Sequence, residues 1–231
     1  MIVTTDAEGW ARIRLRDFPN ATFELEEQER YDDEELEPDE RLVTYSLTLL
    51  FPDTPDKLLT NLMTVYERLD FAGLRSLLTA DHVTLLQTAT QAQFPTLGDR
   101  LELAEELRCH ERLFGRRDVF DSLGTRIPAI EAIMFQTFAR QADWAPSEAW
   151  DPIPNTTCAV YDVGVLWDRG EGRSLLTTQG QIRFYVTARD SLVNGVTKPY
   201  YRLRGQMDLT QVTKAAALEP AAWGAVKAMF R

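Results

Sequence analysis

Residues from about Phe51 to Arg231 are predicted to form one α+β domain, a strongly curved antiparallel sheet packed on a long N-terminal helix and two further helices. Three observations carry this expectation. Helix-patterned segments come first and four long strand-patterned segments follow, which is the order of an α+β chain and not of alternating βαβ units. The last two strand segments alternate apolar and polar residues, so one sheet face packs on helices and the other meets water or a partner. Gly180 and Gly205 fall on the apolar face, where a missing side chain lets a sheet bend sharply.

Residues 1–50 read as a separate β-rich segment. Over Gly9–Arg16, Trp10, Arg12, Arg14 and Arg16 share one face while Ala11, Ile13 and Leu15 share the other, the period-2 pattern of a half-buried strand. Asp17–Asn20 has turn chemistry and Thr22–Leu25 suits a return strand. Glu29–Arg41 is dense in carboxylates with one proline; self-repulsion and few apolar residues make it a solvated linker. Leu42–Phe51 is β-rich and leads to Pro52.

Asp53-Thr54-Pro55-Asp56 opens the first helix: Asp53 or Thr54 caps the free N–H groups, Pro55 suits the first turn, and Asp56 favours the positive dipole end. Leu58, Leu62, Val65, Tyr66 and Leu69 give its apolar stripe, and Asp70 breaks the pattern. A short helix carries Leu74, Leu77 and Leu78, and His82–Leu86 reads as a strand. A third helix is expected from about Leu101 to Phe114, with Leu103, Leu107, His110 and Phe114 on its buried face and Glu102, Glu105, Glu106, Arg108 and Arg112 outside.

Strands are expected over Ile127–Ala139, Thr157–Trp167, Thr177–Thr187 and Tyr200–Leu209. Asp168–Gly172 and Asn194-Gly195 supply turn residues that tolerate positive φ. In the third strand Gln179, Gln181, Arg183 and Tyr185 oppose Gly180, Ile182, Phe184 and Val186. In the fourth, Tyr200, Arg202, Arg204, Gln206 and Asp208 oppose Tyr201, Leu203, Gly205, Met207 and Leu209. A bent sheet closing over a long helix makes a cone with an inner pocket.

Composition excludes several classes. A formal charge of −11 with no clustered basic face argues against nucleic-acid binding, which depends on Lys and Arg displacing counterions. No stretch reaches 18 apolar residues, so no membrane-spanning helix is expected. Residues 1–15 lack the apolar core of a secretory signal. Cys109 and Cys158 have no metal-binding spacing and read as two buried thiols, a single bridge between them being the alternative. No GxSxG, P-loop, GxGxxG or HExxH motif is present, and no cofactor or metal is expected.

The stretch TPDKLLTNLMTVYERLDFAGLRSLLTADHVTLL (Thr54–Leu86) resembles the NTF2-like (SnoaL-like, cystatin-like cone) superfamily: a long helix, a short helix ending in a Leu-Thr-x-Asp step, then a strand. The Gln179–Asp208 strand pair fits that superfamily's late hairpin, and Ala221–Arg231 is similar to the tail of uncharacterised bacterial envelope-associated members. The resemblance covers about residues 52–231. After Asp81, relatives carry an aromatic residue where this chain has His82. Thr4–Leu15 resembles the end of a carboxypeptidase-regulatory-like or Ig-like β-sandwich. This implies that the chain starts inside a larger protein, or at a misplaced start that lost an upstream export signal. The resemblance implies the cone fold and homodimerisation through the sheet face. It is silent on activity, because this fold hosts enzymes and non-enzymatic binders alike.

A cone pocket becomes catalytic when a carboxylate or His sits in its dry wall, tuned by desolvation and hydrogen bonds. The candidate bases are His82 and Asp70. Asp81 and His82 are adjacent on a strand and point to opposite faces, so they form no dyad. The expected pocket lining is Tyr66, His82, His110, Trp144, Tyr161 and Tyr201. Trp144 and Trp150 are expected to seal the mouth, and Trp223 to anchor the tail. The expected partner surface is Gln181, Arg183, Arg202 and Arg204. Three functions remain open: a non-enzymatic domain binding a small apolar ligand or a protein partner, an isomerase- or dehydratase-type enzyme with a pocket Asp or His as general base, and a purely structural module of a cell-envelope protein.

Overall fold

The computed structural model describes residues 49–120, 124–170, 172–173, 175–193, 195–209, 219–220 and 222–231. The strand, turn and linker expectations for residues 1–48 lie outside it. Helix α1 (Pro55–Glu67) starts as its cap residues dictate, the Thr54 hydroxyl accepting from the Lys57 amide at 3.2 Å. Leu58, Leu59, Leu62, Val65 and Tyr66 are its buried stripe. Leu69 turns the chain with φ 55, and the Asp70 carboxylate caps α2 (Phe71–Leu77) by accepting from the Gly73 amide at 2.8 Å.

Strand β1 (Leu78–Leu85) follows directly, starting earlier than the sequence suggested, and leads to α3 (Thr88–Gln93) and β2 (Arg100–Glu102). Helix α4 (Leu103–Leu113) comes next, then a small pair β3 (Val119–Phe120) and β4 (Arg126–Ile127). The main strands are β5 (Ala132–Arg140), β7 (Thr157–Asp168), β8 (Leu176–Val193) and β9 (Val196–Asp208), with short β6 (Ala145–Pro146) and β10 (Glu219–Pro220) at the side. The chain ends in α5 (Trp223–Met229), a helix the sequence pattern did not disclose. No helix among the described residues is long and apolar enough to cross a membrane.

The sheet runs β2-β1-β9-β8-β7-β5 and does not close into a barrel. It is mixed where an antiparallel sheet was expected, because β1 runs parallel to β9 and β10 parallel to β8. Hairpins force antiparallel neighbours, and Gly195 (φ 79) makes the turn that joins β8 to β9. The β1–β9 pair joins segments more than a hundred residues apart, so no turn sets its direction.

Curvature comes from breaks in register. In β9 one residue, Arg204, lies between the pairs Tyr185↔Gly205 and Val186↔Leu203, and it also faces a break in β1 between Leu78 and Val83. One inserted residue reverses the alternation that follows. Leu203 therefore shares the interior with Gln206 and Asp208, both assigned to the outer face from sequence, while Met207 and Tyr185 join Val83, Ile153, Leu85 and Cys158 in a second apolar cluster. Gly205 sits at the bend. A Cβ there would lie 2.4 Å from Ile153 Cδ1 and 2.6 Å from the Val83 carbonyl oxygen. Gly205→Ala is expected to lower stability by about 1–3 kcal/mol, read as a fall in the urea midpoint at unchanged slope.

Candidate functional site

The interior between α1, α4 and the sheet holds a polar cluster built from distant parts of the chain. Helix α4 buries Glu106, Cys109, His110 and Leu113, the i, i+3, i+4, i+7 positions of one face. The sequence had placed Glu106 outside. It is inside because Lys227 of α5 reaches it, Nζ to Oε1 2.7 Å, with side-chain exposures of 0% and 2%. Thr84 of β1 and Gln206 of β9 complete the set. Lys227 Nζ donates to Thr84 Oγ1 at 3.3 Å, and Gln206 Nε2 donates to Thr84 Oγ1 at 2.9 Å and to Glu106 Oε1 at 3.0 Å.

Both histidines flank this cluster, and their partners define their protons. His110 Nδ1 lies 2.8 Å from the Glu106 carbonyl oxygen, which can only accept, so Nδ1 carries the proton. Its Nε2 is then the acceptor for the Tyr66 hydroxyl at 2.5 Å. His82 follows the same logic: Nδ1 donates to the Leu203 carbonyl at 3.2 Å, and Nε2 faces Thr84 Oγ1 at 3.4 Å. Each ring is neutral with both nitrogens engaged. Burial pushes both histidines down to about 4, opposed by the Glu106 charge and reinforced by Lys227. Burial alone would raise the Glu106 carboxyl, but Lys227, His110 and His82 together hold it down at about 2. Burial drives the Tyr66 hydroxyl well above its usual value and lifts the Cys109 thiol to about 12. The cluster is thus an ion pair inside a neutral, hydrogen-bonded shell.

Helix α5 closes the space. Trp223 is buried against Tyr66 (ring centroids 4.9 Å) and Trp167 (5.5 Å), and the Asp208 carboxylate accepts from the Gly224 amide at 2.8 Å. That carboxylate meets the positive end of a helix whose own N-cap, Ala222, offers no side-chain acceptor. Arg231 anchors the far end on Glu105 at 2.9 Å. Trp223 thus holds the tail as expected.

The remaining predicted residues fall elsewhere. Tyr66, His82 and His110 meet in the interior, but Trp144 and Tyr161 meet at Asp56 on α1, donating to Oδ1 at 2.9 and 2.7 Å. Those two hydrogen bonds and the Arg140 guanidinium outweigh partial burial and hold the Asp56 carboxyl below its ordinary value. Tyr201 bonds through its backbone to the Pro52 carbonyl. Trp150 seals nothing: it is 82% exposed on the segment that covers the outer apolar cluster. Asp70 is committed to its cap. On the outer face, Gln181 pairs with Asp162, Arg183 with Asp151 and Arg204 with Asp81, while Arg202 is half-buried. Both cysteines are free, Cys109 buried and Cys158 partly so. A groove of about 460 Å³ crosses this face, lined by Asp81, Asn155, Thr187, Arg189 and Arg204 among others. A depression of about 200 Å³ adjoins it, sharing Asp81, Pro154 and Arg204.

Sequence reasoning missed Glu106, Thr84, Gln206 and Lys227. One signal pointed to them: a lysine at i+4 from Trp223 within the otherwise apolar AAWGAVKAMF, where a charge needs a buried partner.

No family model matches the chain, and no curated protein matches it. Solved structures do resemble it. One is a conserved protein from Planctomyces limnophilus DSM 3776, 13% identical, with 66% of this chain and 90% of that one covered at a TM-score of 0.40. A second is a variant of the protein Rd1NTF2, 10% identical, with 67% and 96% covered at 0.36. A third is described as an NTF2-like protein of unknown function in nutrient uptake from Rhodospirillum rubrum ATCC 11170, 13% identical, with 65% and 92% covered at 0.35. At such identities the likeness concerns the fold alone.

Proposed function

We propose that residues 51–231 form a non-enzymatic binding domain that takes a protein partner on its outer sheet surface, with residues 1–50 a separate β-rich segment. One observation carries this reading: the interior, where a cone would hold a substrate, is occupied by the chain's own Trp223 and by the buried Lys227–Glu106 pair. The candidate bases support it as well. Asp70 caps a helix, and His82 has its Nδ1 proton on the Leu203 carbonyl, which leaves neither poised to take a substrate proton. What the folded chain offers a partner is outside: the groove beside Arg189 and Arg204, and the exposed Trp150. Tryptophan and arginine dominate the energetics of protein interfaces.

Photo-crosslinking groups at Arg189 and, as control, at exposed Glu111 test the reading in extract of the native cell. A discrete cross-linked protein at position 189, absent at 111 and reduced by Trp150→Ala, is the expected result. No discrete species at 189, or the same species at both positions, rejects it. The segment boundary is checked separately by limited proteolysis, which is expected to leave a stable fragment beginning near Phe51.

A further inference from the structure

We propose that the interior cluster is a binding site for an organic cation with several N–H donors, an alkylguanidinium or a donor-rich protonated amine, which Lys227 occupies in cis. This goes beyond the partner-binding reading and shares its premise: the interior is filled in the resting chain, and a ligand enters it only by displacing Lys227.

The recognition groups belong to the body of the domain and not to the helix that fills it. Glu106 comes from α4, Thr84 from β1 and Gln206 from β9, and the first two converge on the Lys227 ammonium at 2.7 and 3.3 Å. If α5 served only to fill space, an apolar side chain would do so at lower cost, since a buried ion pair is often less stabilising than a hydrophobic replacement. Lys227 also leaves acceptors over. Glu106 Oε2 and Gln206 Oε1 are buried and receive no hydrogen bond, although their residues are only 1% and 3% exposed. Buried acceptors without donors are rare, and each marks a place for one. A single ammonium with three protons cannot reach them all. A guanidinium, planar with its donors in a fork, matches a carboxylate with both oxygens available. The Trp223 ring, its centroid 5.8 Å from the Lys227 ammonium, is the aromatic surface that a cation in this place meets. In the resting chain the lysine on the C-terminal helix supplies the charge, and a stronger donor set would compete with it for Glu106.

The full chain and its Lys227→Ala variant test this with propylguanidinium chloride, n-butylammonium chloride and, as an apolar control, n-butanol. In Lys227→Ala both cations are expected to raise the thermal midpoint saturably by several degrees, propylguanidinium more than n-butylammonium, with no rise from n-butanol. Adding Glu106→Gln is expected to abolish the response. In the native chain, propylguanidinium is expected to speed hydrogen exchange of the α5 amides several-fold while α1 is unchanged. A saturable response of the folded Lys227→Ala variant to the cations alone supports the site; where that variant does not fold, faster α5 exchange in the native chain supports it. A folded Lys227→Ala variant that ignores both cations, or responds equally to n-butanol, overturns it. Where that variant does not fold, unchanged α5 exchange in the native chain overturns it.

Discussion

Replacing Glu106 by Leu is expected to cost about 3–5 kcal/mol of unfolding free energy, because it strands the Lys227 ammonium in a dry interior. Lys227→Met is expected to cost a similar amount by stranding the Glu106 carboxylate. The double variant, Glu106→Leu with Lys227→Met, is expected to recover to within about 1 kcal/mol of the native chain or to exceed it, since apolar packing often matches a buried pair. Urea unfolding of the four proteins completes the cycle. The pair is non-local, joining α4 to α5 across 121 residues, so the single variants should also loosen the C-terminal helix before the sheet. Additive single effects, with the double variant as unstable as their sum, would mean that the two charges do not share a site.

Acid is expected to unfold the domain through its two histidines before its carboxylates protonate. Burial holds His82 and His110 at about 4 in the folded state, against an ordinary value of 6.5. The folded chain therefore binds fewer protons than the unfolded chain between those values. The stability this supplies is fully present above pH 6.5 and is lost as pH falls towards 4. At pH 5 the loss is roughly 2 kcal/mol per histidine. Glu106, held at about 2 from an ordinary 4.5, adds a second loss that begins only below pH 4.5. Urea midpoints measured from pH 8 to pH 3 should be flat to about pH 6.5 and then fall steeply. His82→Gln and His110→Gln should each flatten the fall between pH 6.5 and 4. A midpoint unchanged between pH 7 and 5 would contradict the neutral, buried rings. His110 should show the larger effect on Tyr66, whose hydroxyl it accepts.

The parts that the sequence revealed are those governed by local rules. Thr54, Pro55 and Asp56 announce α1 because capping and proline geometry act within one turn. Asn194-Gly195 announces the β8–β9 hairpin because few residues tolerate positive φ. Trp223 reads as an anchor because a large aromatic side chain in an apolar tail has nowhere else to go. What stayed hidden depends on partners far away in the chain. Glu106 looks like a solvated helix residue until Lys227 is placed beside it. Gln206 and Asp208 look external because alternation is read from one end of β9, and the insertion at Arg204, which inverts it, leaves no mark in composition. The parallel pairing of β1 with β9 is hidden for the same reason. Of the six residues expected to line one pocket, three meet in the interior, and Trp144 and Tyr161 serve Asp56 instead.

The central claim is that α5 seals the cone with Lys227 on the inside, and amine reactivity reads it directly. Acetylation of the native chain under mild conditions, followed by peptide mass spectrometry, compares Lys227 with the exposed Lys198. The buried pair predicts that Lys198 labels rapidly, while Lys227 stays unmodified until denaturant unfolds the domain. Lys227 labelling at the rate of Lys198 in the folded protein would contradict it.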